Sequence, residues 1–495
     1  MRRPRLAPSL LPIRFALLPV LVSGLLVGFS APAAQAQPAD TQTPPPRNLI
    51  VLIPDGFGPT SQTMAREYLH EIEGRDLVLD RILTGAVRTY ASDSRVTDSA
   101  ASATAYASGV KTYNGAIGLD TTRAPVATLL EAAEARGMAT GLVATSRITH
   151  ATPAAFSAHV PQRSMELEIA AQMLDQGIEV ILGGGRPFFL PPDNNTGYPG
   201  RRDDGRNLIA EARGRGYTVA LDRAGFNAFS AVPLGGDDTA PPVLGLFNDS
   251  HLAYEIDRNP QQEPSLAEMT GFALAHLSTD PDGFFLMVEG SRIDHAGHGN
   301  DPIGHLHDII AFDEAVAMAL AFAEDRGETL IVVMADHETG GLSLGRNLNG
   351  RGIYDWRPDV LARATRSVEG MLDLVEAGAA PDSLMQTHGG VDDLTEEERS
   401  ALAEAAGGPL GARALFSVMA NILSERALVG WTTGGHTAVA VNLHSFGPHA
   451  ERFAGVMEND AIGRTLADVM GFDLDALTAA LRQAARNPEP VGVQN

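Results

Sequence analysis

The sequence predicts an α/β fold: a three-layer, doubly wound, mostly parallel sheet with helices on both faces and insertions near the site. Three observations carry that reading. Short apolar runs bounded by turn residues alternate along the chain with amphipathic helical stretches. With 495 residues, 44% of them hydrophobic, the chain can bury a large core. No period of solenoid length repeats.

The elements follow in order. Asn48–Pro54 (NLIVLIP) reads as a buried strand that ends at Asp55-Gly56. ATLLEAAEARG (127–137) is a helix closed by glycine, and MATGLVAT (138–145) is the next strand. MELEIAAQMLDQG followed by IEVILGGG repeats the unit. GFFLMVEG (283–290) and ETLIVVMADHE (328–338) are two further strands, separated by a helix over roughly 305–325. AVAVNLHSF (438–446) supplies a late strand. Two stretches break the rhythm, 191–265 and 345–430. Both read as insertions in a single catalytic domain spanning 48–495.

Composition narrows the chemistry. The chain has no cysteine, which excludes disulfides, thiolate-bound metals and cysteine nucleophiles. A formal charge of -24 argues against a phosphate-tracking nucleic-acid surface. At the N-terminus, Arg2, Arg3, Arg5 and Arg14 precede an apolar run that ends in Ala34-Gln35-Ala36. That order is a secretory signal, residues 1–36, followed by a linker over 37–47. The run is too short and too interrupted by Pro19, Ser23 and Gly24 to stay in a membrane. The expected location is therefore periplasmic or secreted, with no membrane attachment after cleavage.

Ligands in such sheets collect beyond the carboxyl ends of the strands. Asp55, Glu289 with Asp294 and His298, and Asp336-His337 lie at such ends, Thr152 lies beyond the strand ending near 145, and His436 sits just before the late strand. Any one of these is an ordinary loop residue; five converging segments are a candidate site. Asp, Glu and His without Cys make nitrogen–oxygen metal sites, suited to zinc, magnesium or manganese. Residues 97–115 (TDSAASATAYASGVKTYNG) hold a second element. Asp98 or Ser99 can cap an Ala-rich helix there, leaving the Ser99 hydroxyl in the field of a helix N-terminus. Serine needs a base or a metal to become a nucleophile. No Gly-x-Ser-x-Gly elbow surrounds Ser99, so a metal-free triad is not supported.

These motifs resemble the alkaline phosphatases across nearly the whole chain beyond the signal, from Ile53-Pro54-Asp55-Gly56 to Gly434-Gly435-His436-Thr437. The strongest match is Val96-Thr97-Asp98-Ser99-Ala100-Ala101, running on to Gly109-Val110-Lys111-Thr112, which contains the chain's single lysine. The resemblance implies phosphate-monoester hydrolysis through a phosphoserine at Ser99, with two zinc ions and a magnesium ion. By matching positions, Asp294, His298 and His436 would hold one zinc, and Asp55, Asp336 and His337 the other. Thr152 and Glu289 would complete the third site with Asp55. Arg163 takes the family's phosphate-clamping position; Arg147 is the competing arginine by sequence. Asp98, His150 and His295 would stand behind these groups.

The best-known bacterial members have Asp and Lys where this chain has His150 and His295, whereas the animal members resemble it there. Losing the lysine charge is expected to weaken phosphate binding. A sulfatase of the same fold needs a Cys/Ser-x-Pro-x-Arg setting, which Ser99-Ala100-Ala101-Ser102-Ala103 lacks. Diesterases of the fold lack the third site that Thr152 and Glu289 would build. The family is often dimeric, so a homodimer is possible, though no interface is legible.

Overall fold

The computed structural model describes residues 43–231, 240–348 and 350–486; the signal segment and the start of the linker lie outside them. Ten strands build one sheet: β1 Asn48–Pro54, β2 Leu83–Arg88, β3 Ala139–Arg147, β4 Val180–Gly184, β5 Thr218–Ala220, β6 Val243–Leu246, β7 Phe284–Gly290, β8 Thr329–Met334, β9 Val441–Phe446 and β10 Gly455–Glu458. Their order across the sheet is β10-β2-β9-β8-β1-β7-β3-β4-β6-β5. All pairings are parallel except those of β9, which runs against both β8 and β2.

The central strand explains why the sheet forms here. Leu49, Ile50, Val51, Leu52 and Ile53 are all fully buried, so both faces of β1 are covered. Each such side chain contributes about 1.5–3 kcal/mol of burial, and β-branching suits the pleat. Helices pack around the sheet. The long Pro302–Arg326 helix lies against Leu266–Leu277, and Ser99–Ser108 lies against Ala151–Ser157 and Asn459–Met470. The helix near 305–325 is longer than the sequence pattern indicated, because Asp301 caps it several residues before its visible period begins. The Ser99–Ser108 helix approaches its Asn459–Met470 neighbour where a Cβ at Gly463 would stand 2.6 Å from the Ala105 carbonyl oxygen.

Residues 191–265 contribute β5 and β6 to one edge of the sheet. These strands are three and four residues long, too short to register as a period. Residues 345–430 are mainly helical, including Glu396–Gly407 and Gly411–Ala427. Among the described residues no helix is long and apolar enough to cross a membrane.

β1 pairs with β7 on one side and β8 on the other, with Ile53 opposite Glu289. The carboxyl ends of β1, β7, β8 and β3 therefore open on the same edge. That edge carries the chemistry.

Candidate active site

Asp55 leaves β1 in a turn made by Gly56, whose φ of +74° lies in the left-handed region. The Gly56 N–H donates to Asp336 Oδ1 at 3.1 Å, tying the exit of β1 to that of β8. Glu289 sits near the end of β7, and the helix Arg292–Gly299 then presents Asp294 and His298 one turn apart. His436 arrives from far along the chain, because His436–Thr437 pairs antiparallel with Glu338–Thr339.

The ring nitrogens show what these groups await. His436 Nδ1 donates to the Thr97 carbonyl at 2.8 Å and His298 Nδ1 to the Gly434 carbonyl at 2.7 Å. A carbonyl accepts only, so in the neutral rings the proton sits on Nδ1 and Nε2 carries the lone pair. They face each other at 3.1 Å, with Asp294 oxygens 3.4 Å from His298 and 3.7 Å from His436. His337 follows the same rule. The Thr339 hydroxyl donates to Asp294 at 2.6 Å and takes His337 Nδ1–H at 3.2 Å. The bare His337 Nε2 then lies 3.2 Å from Asp336 Oδ2, 3.5 Å from Asp55 Oδ1 and 3.2 Å from Ser99 Oγ.

Lone pairs facing lone pairs and carboxylates are repulsive unless cations stand between them. Burial sharpens the point. Both oxygens of Asp55, Asp336 Oδ2, Glu289 Oε1 and Thr152 Oγ1 are buried without a hydrogen-bond partner. Without metal, burial and then the neighbouring Asp336, Asp294 and Glu289 drive the Asp55 pKa well above the carboxylate range. Burial chiefly lifts Glu289 to about 7 and also raises Asp336, while it pushes His337 well down. Two groupings of ligand atoms are close enough to hold ions: Asp55, Asp336 and His337, and Asp294, His337 and His436. A third joins Asp55, Glu289 and His150.

Ser99 opens its helix. Asp98 is the cap, its Oδ1 accepting from Ala101 N at 3.0 Å, so Ser99 is the first helical residue and only 1% exposed. The second oxygen of Asp98 accepts from Gly115 N at 3.0 Å and from Arg163 Nη1 at 3.2 Å. Arg163 Nη2 in turn contacts His150 Nε2 at 3.1 Å.

The family model described as alkaline phosphatase matches residues 46–472. The repressible alkaline phosphatase of Saccharomyces cerevisiae is 39% identical over 478 residues, covering 88% of this chain and 83% of its own. Alkaline phosphatase 3 of Bacillus subtilis is 38% identical over 483 residues, covering 94% and 98%. The crystal structure of a cold-active alkaline phosphatase from a Shewanella species superposes with a TM-score of 0.75 at 34% identity, covering 86% of this chain and 99% of that one.

The chain belongs to the alkaline phosphatase family.

Its activity is that of a phosphomonoesterase, and like the family it uses metal cofactors. The structure brings Asp55, Ser99, Asp294, His298, Asp336, His337 and His436 together at one strand-end cluster, with Glu289 beside Asp55 and Thr152 beside Glu289. Of the two arginines that compete for the phosphate-clamping position, Arg147 is tied up. Its Nε and Nη2 grip Glu166 at 2.8 and 3.0 Å, and its Nη1 meets His251 Nε2 at 2.6 Å. Arg163 instead faces Asp98 and His150, next to Ser99.

His295 lies in the Asp294 helix with Nδ1 3.0 Å from Arg292 Nη1. Burial and adjacent guanidiniums hold His150 and His295 well below the imidazole range, and His251 at about 3. Sequence reasoning missed His251, Arg292 and the bridging role of Thr339. His251 follows β6 just as other site residues follow their strands, a signal lost because β6 itself was too short to read.

Proposed function

We propose that this phosphatase is exported and works through a covalent phosphoserine on Ser99. The observation that carries the reading is the 3.2 Å contact between Ser99 Oγ and a His337 Nε2 that holds no proton. Asp294, His298 and His436 would hold one zinc ion, Asp55, Asp336 and His337 a second, and Asp55, Thr152 and Glu289 a magnesium ion. When bound, the ions lower the pKa of the serine hydroxyl and of a water molecule and stabilise the leaving oxygen. The orphaned buried oxygens and bare Nε2 atoms fit such ions. An imidazole that accepts from Arg163 at Nε2 keeps its proton on Nδ1, so His150 leaves the third set all-oxygen, as magnesium prefers.

Ser99 Oγ attacks phosphorus in line, the ester oxygen departs as an alcohol, and Ser99 carries the phosphoryl group. Water then attacks the same phosphorus, the Ser99–phosphorus bond breaks, and inorganic phosphate leaves with Ser99 restored. Arg163 grips two non-bridging oxygens with its planar fork, aligned by Asp98. The helix N-terminus at Ser99 adds positive potential behind the phosphoryl group. The substrates are small phosphate monoesters, and a homodimer remains part of the proposal.

The test is turnover of a chromogenic aryl phosphate at alkaline pH with zinc and magnesium supplied. Ser99→Ala is expected to lose at least about a thousandfold in kcat with its fold intact. A variant as active as the parent would overturn the serine mechanism.

A further inference from the structure

His150, His251 and His295 form one wall beside the site. Their ring centroids lie 5.5 Å apart for His150 and His251, 5.7 Å for His150 and His295, and 4.3 Å for His251 and His295, every pair edge-on. Each ring meets a different guanidinium: His150 Nε2 with Arg163 Nη2 at 3.1 Å, His251 Nε2 with Arg147 Nη1 at 2.6 Å, and His295 Nδ1 with Arg292 Nη1 at 3.0 Å. Each of these ring nitrogens faces a cation, which disfavours the imidazolium; on His251 the Arg147 backbone N–H also points at Nδ1, at 3.3 Å, so Arg147 meets that ring at both nitrogens.

His251 comes from a remote segment. It is docked by Leu252 N on the Thr145 carbonyl at 2.9 Å and by Gly185 N on the Ser250 carbonyl at 3.0 Å. Arg147 is anchored behind it, since Glu166 takes two of its nitrogens and also accepts from Thr149 Oγ1 at 2.7 Å. The remaining edge of that guanidinium is occupied by His251. Remove the ring and three things follow. Arg147 loses its ring contacts at Nη1 and at the backbone N–H, His295 loses the neighbour 4.3 Å away, and His150 loses one of the two rings that fix its tilt. Because His150 meets Arg163, the disturbance reaches the arginine fork.

We propose that His251 is a positioning residue of the phosphate pocket: it keeps Arg147 on Glu166 and holds His150 and His295, and through His150 the fork of Arg163, in register. This rests on the reading of Arg163 as the phosphate-binding arginine. Non-bridging oxygens are present alike in substrate, transition state and product. Loosening their grip therefore weakens binding uniformly, raising KM and leaving kcat.

The experiment compares metal-loaded full-length parent, His251→Ala and His251→Gln, whose amide oxygen still accepts from Arg147. Aryl phosphate kinetics are paired with calorimetric binding of inorganic phosphate. His251→Ala is expected to raise KM and the phosphate Kd about tenfold with kcat changed less than about threefold, and His251→Gln to recover most of the loss. On an Arg147→Met background, His251→Ala should add little, because both act through one contact. An unchanged or tighter phosphate Kd overturns the proposal. So does a His251→Gln variant as impaired as His251→Ala with a lowered Tm, which would mark simple packing. A parent that neither binds phosphate nor turns over the ester would instead refute the reading of the site itself.

Discussion

In their neutral form His298 and His436 point Nε2 lone pairs at each other across 3.1 Å, with both Nδ1 atoms committed to backbone carbonyls. Neither ring can turn to relieve the contact without giving up its carbonyl. The fold thus pre-sets the ligands and leaves their repulsion to be cancelled by a cation.

Chelation should therefore destabilise the protein, and increasingly so as pH rises. Glu289 is raised to about 7 and Asp55 well above its ordinary range when no metal is bound. A carboxyl with a raised folded pKa stabilises the fold below its unfolded value, and that contribution is lost as pH climbs through the folded one. His337, His150 and His295 are shifted the other way, but above their ordinary value of 6.5 they are neutral in both states and add no slope. Between about pH 6.5 and pH 8, as Glu289 completes its titration, the Tm of chelated protein should fall while that of loaded protein stays flatter. A gap that does not widen with pH would contradict this.

Gly56→Ala should strip the site without touching a ligand. A Cβ there would stand 2.7 Å from Asp294 Cα and 2.9 Å from Thr339 Oγ1, on a residue already at φ +74°. Expected are a stability loss of about 2 kcal/mol or more and a fall in bound metal, read by thermal unfolding and elemental analysis. Full metal content at parental Tm would refute the steric argument.

Asp98→Asn should weaken phosphate binding even though asparagine caps helices as well as aspartate. If the amide oxygen keeps the Ala101 N–H, the amide nitrogen replaces the oxygen that now accepts from Gly115 N and Arg163 Nη1. Donor then faces donor, and Arg163 is pushed from its alignment. Competitive inhibition by phosphate should weaken about tenfold, with roughly 1 kcal/mol of stability lost. Unaltered inhibition would show that Asp98 serves only the helix.

Local chemistry made much of this legible. After Asn48 the run to Pro54 is apolar because β1 is covered on both faces, and its boundaries matched the strand residue for residue. The start of the Ser99–Ser108 helix was visible for the same reason, with Asp98 or Ser99 open as its cap, and the structure gives that role to Asp98. β2 was not legible, since its residues are mostly half-exposed, and neither was the antiparallel course of β9, which no residue of its own encodes.

The sequence by itself determined the parallel sheet, the strand ends that gather carboxylates and imidazoles, and the serine at a helix start, because periodicity and capping are short-range. Only the tertiary structure tied Arg147 to Glu166, placed carbonyl or guanidinium partners on the histidine rings and brought His251 beside His150 and His295. Those outcomes depend on partners far away in the chain: Glu166 and His251 for Arg147, the Thr97 carbonyl for His436, Arg163 for His150. A hydrogen bond between distant segments has no spacing to read; it exists only once the sheet has folded them together.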